Sequence, residues 1–173
     1  GAGGHAGTLH PIPLINEVRK VFDKKIILSG CLSTGNDIAS ALQMGADMAY
    51  MGTRFINVKE SMAHDDYKKM ILESSAEDIV YTAAVSGVNA NFLRPSLEAM
   101  GITEEQWKES KKIDFGTHSD AISEEAKAWK TIWSAGQGVT SIENTISVNQ
   151  LVSNLKSEFI SSVKNQESAV KHF

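Results

Sequence analysis

Three separated stretches decide the expected fold: GAGGHAGT at residues 1–8, IILSG at residues 26–30 and MGTRF at residues 51–55. Each lies where a β-strand is expected to end. In a (β/α)8 barrel, the loops after the last strands bind phosphate on backbone N–H groups, and catalytic side chains come from the same strand ends. The order of the stretches therefore predicts an α/β fold in which ligand-binding loops meet along one edge of a sheet.

The composition is that of an ordinary globular chain. Of its 173 residues, 42% are hydrophobic, which is enough for one core. The formal charge is −4, from 17 basic and 21 acidic residues without a basic run, so we expect no nucleic-acid partner. The single cysteine, Cys31, cannot form an internal disulfide, and no apolar stretch approaches the ~20 residues that span a bilayer. A cytoplasmic protein without a membrane partner is expected.

Residues 1–58 are predicted to be successive βα units. After an amphipathic helix, two short apolar runs at 26–28 and 48–51 predict strands covered on both faces. The helix between them is expected to begin at Asn36 or Asp37, whose side chains suit an N-cap. Strands that alternate with helices at this spacing pair in parallel.

Residues 59–122 break this alternation and are predicted to form an inserted cap. Within it we expect a helix around Tyr67, a strand at 79–82 and a turn-rich stretch at 87–95. A second helix with a capping box is expected from Thr103, and an exposed loop at 111–123. Residues 123–173 are predicted to be closing helices, capped at Ser123 and Ser147, with a frayed tail after Lys164.

Two glycine loops are predicted to hold a phosphate between them. The backbone N–H groups of Gly30 and Cys31 face those of Gly52 and Thr53 if the two strands are neighbours. Glycine permits close approach of a ligand, and the helix that follows each loop favours negative charge at its N-terminus. Either loop alone would indicate only a tight turn, but the pair favours a phosphate site. Thr53 adds a hydroxyl donor.

His5 is the candidate catalytic residue. It follows two glycines, so its imidazole is expected to project at a strand end toward a bound ligand. Imidazole titrates near neutral pH, which suits proton abstraction from a carbon acid. The other histidines, His10, His64, His118 and His172, show no metal-ligand spacing, and no metal site is predicted.

Together with later segments at 87–95 and 126–139, these motifs resemble the nitronate monooxygenase family, formerly called 2-nitropropane dioxygenases. The resemblance covers nearly the whole chain and implies the C-terminal portion of an FMN-binding TIM barrel, (β/α)8, with a small inserted cap. It implies that the family's FMN-binding segments correspond to Gly3, Gly4, Gly30, Cys31, Tyr50, Met51, Gly52 and Thr53. Gln137 of the Ala-Gly-Gln-Gly segment would approach the cofactor, with loop packing as the alternative. Cys31 departs from the family, which commonly has a second glycine there.

The resemblance also implies a reaction. FMN accepts an electron from a bound nitronate, oxygen completes the oxidation, and an aldehyde or ketone leaves with nitrite. His5 would take the α-proton of a neutral nitroalkane or help to hold the anionic nitronate. The alternative in the same superfamily is a flavin-dependent enoyl-acyl-carrier-protein reductase, which has similar Gly-Gly-His and Met-Gly-Thr segments. An inactive fragment of such an enzyme is a second alternative.

The chain is expected to be incomplete, since it begins inside a glycine-rich loop and supplies at most the last strands of eight. Unpaired strand edges attract other chains, so we expect self-association or binding to an N-terminal piece of the same protein.

Four other side chains allow more than one interpretation. Arg54 could neutralise phosphate or pair with Glu60. Trp129 and Trp133, four residues apart, favour core packing over cofactor stacking. Cys31 has no evident base beside it and is expected to be a small buried residue.

Overall fold

The structure, a computed structural model, describes residues 1–109 and 131–171, and these form an α/β fold. In chain order the elements are α1 (Pro11–Val21), β1 (Ile27–Ser29), α2 (Gly35–Gln43), β2 (Met48–Tyr50), α3 (Thr53–Ile56), α4 (Asp65–Glu73), a 3-10 turn (Ala76–Asp78), β3 (Ile79–Thr82), β4 (Ala90–Leu93), α5 (Arg94–Ala99), α6 (Glu104–Lys108), a second 3-10 turn (Gln137–Ser141) and α7 (Val148–Val170).

Strands β1 and β2 pair in parallel, as predicted, with Ile27 opposite Met48. One face of this pair is covered, because Leu28 packs in a cluster with Ile15 of α1 and Ala41 of α2. The other face is open: Ile27, Met48 and Tyr50 are 57%, 52% and 63% exposed. The prediction that both strands are covered on both faces is therefore wrong, since the two helices pack on the same side.

The N-cap of helix α2 lies two residues before Asn36 and three before Asp37, the two predicted caps. Its N-cap is Thr34, whose hydroxyl accepts a hydrogen bond from the backbone N–H of Asp37 at 3.1 Å. The Asp37 carboxylate accepts the Thr34 N–H at 2.8 Å in return. This reciprocal capping box places Asp37 inside the first turn, so neither Asn36 nor Asp37 is the N-cap.

Helix α7 packs closely on the start of α2. A Cβ at Gly35 would lie 2.3 Å from the carbonyl oxygen of Leu155, so only glycine allows this approach. The Ser147 hydroxyl caps α7 as predicted, accepting the Gln150 N–H at 3.2 Å. The helix continues to Val170, so the predicted frayed tail after residue 164 is wrong.

The middle of the chain contains an antiparallel hairpin in which Ile79 of β3 pairs with Leu93 of β4. The predicted strand at 79–82 is confirmed, but β4 lies within the stretch that was expected to be only turns. All four residues of β4 are buried, because Phe92 and Leu93 enter different hydrophobic clusters. Such a strand lacks the polar and apolar alternation that would identify it.

Three predictions fall outside the described residues: the helix N-cap at Ser123, the core packing of Trp129 and the exposed loop at 111–123. Thr131 is helical but Ile132 and Trp133 are not, so the predicted helix that was to carry these two residues does not include them. Trp133 is half-buried, packs against a buried cluster and stacks on Tyr67 at a centroid distance of 5.0 Å.

Asp47 ties the start of β1 to α1. Its carboxylate accepts hydrogen bonds from the Ile26 N–H at 2.9 Å, Lys25 Nζ at 2.9 Å and Arg19 Nη2 at 2.7 Å. These donors, the backbone N–H foremost, hold the pKa of Asp47 well below its usual range.

Because that pKa is lower in the folded state, the stabilisation by Asp47 is present above its ordinary pKa of about 4 and is lost as the pH falls further. We expect Asp47→Asn to lower the thermal unfolding midpoint at neutral pH, and the difference from wild type to narrow in acid. Thermal melts across this pH range test the expectation, and a difference independent of pH would contradict it.

Candidate ligand-binding and catalytic site

A cleft of about 330 Å³ lies at the carboxyl ends of β1 and β2. Eight of the ten predicted site residues line it: Gly3, Gly4, His5, Gly30, Cys31, Tyr50, Gly52 and Thr53. Residues 134–136 and Gly138 supply a further wall that the sequence indicated only through Gln137. The structure thus brings the three glycine-containing stretches into one site.

Met51 and Gln137 do not line the cleft. Met51 packs against the buried cluster that contains Val58 and Leu151, on the side of α7. Gln137 lies immediately behind the wall, where its backbone N–H donates to the Gly3 carbonyl at 2.8 Å. Its amide oxygen is 3.8 Å from Cys31 Sγ.

Backbone segments meet directly behind the cleft, which explains two of its glycines. Gly3 has a φ of +73°, and a Cβ there would lie 2.1 Å from Cys31 Sγ. A Cβ at Gly136 would lie 2.4 Å from the Gly3 carbonyl oxygen. Side chains at these positions would separate the loops that form the wall.

Gly52 has a different role. Its φ of −106° does not require glycine, and a Cβ built there meets no atom within 4 Å. The absence of a side chain therefore leaves open space in the cleft. Beside it, Thr53 Oγ accepts the Gly136 N–H at 2.9 Å, which leaves the Thr53 hydroxyl proton available to a ligand.

Cys31 has a φ of +60°, in the left-handed region that favours glycine. Its thiol donates to the Ala2 carbonyl at 2.9 Å, and burial raises the pKa of the thiol. Cys31 is of intermediate exposure and lines the cleft, so the prediction that it is a buried residue is wrong. The thiol therefore stays protonated near neutral pH, and its bond to Ala2 holds the loop against residues 1–8.

The predicted contribution of the α2 N-terminus is wrong. The N–H groups of Ser33 and Thr34 donate to Asp37 Oδ2, both at 2.8 Å, and the Gly35 N–H donates to Glu158 Oε2 at 2.6 Å. Two carboxylates of the chain itself thus occupy the positive end of this helix. An anion in the cleft would rely on the loop N–H groups and on Thr53.

Both predictions for Arg54 are also wrong. Its side chain is only 6% exposed and lies outside the cleft, where its guanidinium donates to the carbonyls of Asn57 at 3.2 Å and Asn144 at 3.5 Å. Glu60 instead accepts the Val148 N–H at 3.0 Å. The described lining of the cleft contains no Lys, Arg, Asp or Glu.

His5 is exposed at the cleft, and its Nδ1 lies 3.2 Å from Ser134 Oγ. The Ser134 hydroxyl donates its only proton to the Asn91 carbonyl at 2.6 Å. It must therefore accept from His5, which places a proton on Nδ1 and leaves the lone pair of Nε2 free in the neutral ring. This arrangement suits a general base.

Ser134 is a site residue that sequence reasoning missed. Its carbonyl accepts a hydrogen bond from the Tyr67 hydroxyl, and burial raises the pKa of Tyr67 to about 12, so that hydroxyl remains a donor. Ser134 is 129 positions from His5 in the chain. The only local signal is its position just before the Ala-Gly-Gln-Gly segment.

Within residues 1–109 and 131–171, no group of three His, Cys, Asp or Glu residues is arranged to hold a metal ion. No helix in the same described ranges is both long and apolar enough to cross a bilayer.

A glycine-lined cleft with neutral donors, at the carboxyl ends of parallel strands, is the arrangement by which α/β proteins hold phosphorylated ligands. Comparison of the sequence with known families identifies the family within this class. Residues 1–158 match the family model described as nitronate monooxygenase, and the chain belongs to that family.

Among curated relatives, the chain is 28% identical to a probable nitronate monooxygenase of Bacillus subtilis, over 92% of this chain and 49% of that protein. It is 31% identical to a nitronate monooxygenase of Paraburkholderia phytofirmans, over 58% of this chain and 30% of that protein. The chain thus spans about half, or less, of the length of these relatives.

Solved structures show the same fold. FabK from Thermotoga maritima matches with a TM-score of 0.72 and 28% identity, over 97% of this chain and 54% of that one. Nitroalkane oxidase from Streptomyces ansochromogenes matches with a TM-score of 0.69 and 24% identity, over 95% of this chain and 51% of that one.

Proposed function

We propose that this chain is the cofactor-binding and catalytic part of an FMN-dependent enzyme that oxidises alkyl nitronates, and nitroalkanes where it accepts them, with oxygen to a carbonyl compound and nitrite. The observation that carries the proposal is the free Nε2 of His5 at the edge of a glycine-lined cleft. Family membership and the names of the curated relatives support it.

The cleft fits the phosphate of FMN. Open space in front of Gly52 leaves room beside the loop, and the N–H groups of Gly30, Cys31 and Thr53 with the Thr53 hydroxyl are the donors that would hold the oxygens. When bound, the flavin would supply the electron-accepting chemistry. The chain itself contributes binding, orientation and control of a proton.

His5 would control that proton. With Nδ1 protonated, Nε2 can accept the α-proton of a neutral nitroalkane. Once protonated, the same imidazole carries the positive charge that faces an anionic nitronate. Because the described lining contains no lysine or arginine, His5 is the residue placed to supply such a charge there.

We further propose that the chain forms the C-terminal portion of a TIM barrel. In this arrangement residues 1–58 are its last βα units, residues 59–122 an inserted cap and residues 123–173 the closing helices. The open face of the β1 and β2 pair supports this, since an inward-facing barrel surface would be covered by the other strands.

A flavin-dependent enoyl-acyl-carrier-protein reductase is the second candidate, and the likeness to FabK favours it. The two are separated by assaying the flavin-loaded protein with each substrate. Oxygen uptake and nitrite release with a pre-formed nitronate would support the monooxygenase. Consumption of NAD(P)H with an enoyl thioester, without nitronate turnover, would support the reductase. Absence of both activities would support an inactive fragment.

The open sheet face leads to a prediction about assembly. We expect the isolated chain to self-associate, or to remain bound to an N-terminal piece of the same protein, and to hold FMN weakly, because an exposed apolar sheet with free edges binds other chains. Light scattering combined with flavin titration measures both properties.

A matched pair of variants tests whether this face is responsible. Ile27→Lys places a charge on the sheet and should reduce association, whereas Met62→Lys, at a residue that is 99% exposed and belongs to neither strand, should not. A stable monomer that binds FMN tightly would show that the chain is a complete unit and that the barrel proposal is wrong.

A further inference from the structure

Asn91 contacts both residues of the proposed catalytic pair. It lies in β4 and is only 4% exposed. Its backbone N–H donates to the His5 carbonyl at 2.8 Å, its side-chain amide donates to the Gly4 carbonyl, and its own carbonyl accepts the Ser134 hydroxyl at 2.6 Å. Asn91 thus fixes both the loop before His5 and Ser134, the hydrogen-bond partner of the His5 ring.

These bonds matter because, among the described residues, the hydrogen bond shown for the His5 ring comes from Ser134 and none comes from a neighbour in sequence. His5 follows two glycines, which have many backbone conformations available, and Ser134 is far away in sequence. The two backbone bonds of Asn91 could be made by other residues at that position. The bond from its side chain to the Gly4 carbonyl requires a donor of this length.

We propose, on the basis of the function proposed above, that Asn91 is a positioning residue for the catalytic base. By holding Gly4 and Ser134 on either side of His5, it keeps Nδ1 against the Ser134 hydroxyl and directs the free Nε2 into the cleft. The hairpin of β3 and β4 therefore sets which ring nitrogen acts as the base. A catalytic base depends on such a second group for its tautomer and orientation.

A purely structural role makes a different prediction. If Asn91 only satisfied buried polar groups, its loss would lower folding stability and reduce all activities by the same factor. A positioning role instead affects the step that needs Nε2. Turnover of a neutral nitroalkane requires proton abstraction, whereas turnover of a pre-formed nitronate does not.

The test compares Asn91→Ala with Asn89→Ala in the flavin-loaded protein. Asn89 lies on the same hairpin but is exposed, so it is the matched control. We expect Asn91→Ala to lower kcat/KM for neutral nitroalkane by about tenfold or more and to change that for nitronate much less. Asn89→Ala should change neither value. Equal losses on both substrates would overturn the proposal.

A second readout needs neither flavin nor turnover. Long-range ¹H–¹⁵N NMR reports the tautomer of each histidine, and loss of a signal in His5→Asn assigns His5. We expect the neutral His5 ring of the wild type to carry its proton on Nδ1, and Asn91→Ala or the milder Asn91→Ser to shift the population toward Nε2–H. A wild-type ring protonated on Nε2 would overturn the proposal even if both variants fail to fold.

The two readouts also separate this proposal from the proposed function. A tautomer shift in a protein without nitronate activity would retain the positioning role and reject the function. Normal nitronate activity with a tautomer unaffected by Asn91→Ala would retain the function and reject the positioning role.

Discussion

Replacement of His5 with asparagine in the intact enzyme is expected to leave FMN bound but to lower turnover of a neutral nitroalkane by about a hundredfold or more, the usual scale for a positioned base. Asparagine is polar and of similar reach, but it cannot accept a proton from a carbon acid. Flavin should remain, because the donors proposed for its phosphate belong to other residues, Gly30 and Thr53 among them.

A pre-formed nitronate should be affected much less by this change, since its α-proton is already lost. Steady-state kinetics with both substrates, together with the flavin content of the purified protein, measure the difference. His10→Asn is the control: His10 is exposed outside the cleft lining and accepts the Ile12 N–H at the start of α1, a role that asparagine also fills. Equal losses on both substrates in His5→Asn would show that His5 is not the catalytic base.

Replacement of Gly52 with valine in the intact enzyme is expected to empty the flavin site without unfolding the protein. The backbone at Gly52 is compatible with other residues, and a Cβ there meets no atom within 4 Å. The valine side chain would instead occupy the open part of the cleft where we place the phosphate. We expect FMN binding to weaken by about a hundredfold or more, which corresponds to about 2.8 kcal/mol.

Flavin absorbance of the purified variant and a titration with FMN measure this effect, and a thermal melt checks the fold. Gly52→Ala should give a smaller loss, because its single methyl group fills less of the space. If Gly52→Val purifies with a full complement of flavin, the Met-Gly-Thr segment is only a turn and the proposed phosphate site is wrong.

Much of the fold could be predicted because its signals are local. The apolar runs that end in glycine identify β1 and β2, and the capping box at Thr103 identifies α6. β4 was missed because both of its faces are buried, so that asparagine and phenylalanine adjoin without the expected alternation. The open face of β1 and β2 was missed because an apolar strand sequence does not reveal how many layers cover it.

The site was predictable only in part. Glycine stretches and a histidine identified the residues that the structure brings to the cleft, and whether they bind flavin stays a prediction. The hydrogen bond from His5 to Ser134 joins positions 129 residues apart, and Asn91 makes its contacts from a strand that was not expected. No local pattern contains such pairings, because they depend on how distant elements pack.

The contact between α2 and α7 has a consequence for biosynthesis. Glu158 accepts the N–H of Gly35 from 123 positions further along the chain, and its helix packs against the start of α2. While the polypeptide is still emerging from the ribosome, this end of α2 has no such partner, and the wall around Gly136 is also absent. The cleft therefore takes its final form only after the chain has been translated through Glu158, and nascent chains that stall earlier expose an unfinished site to chaperones and proteases.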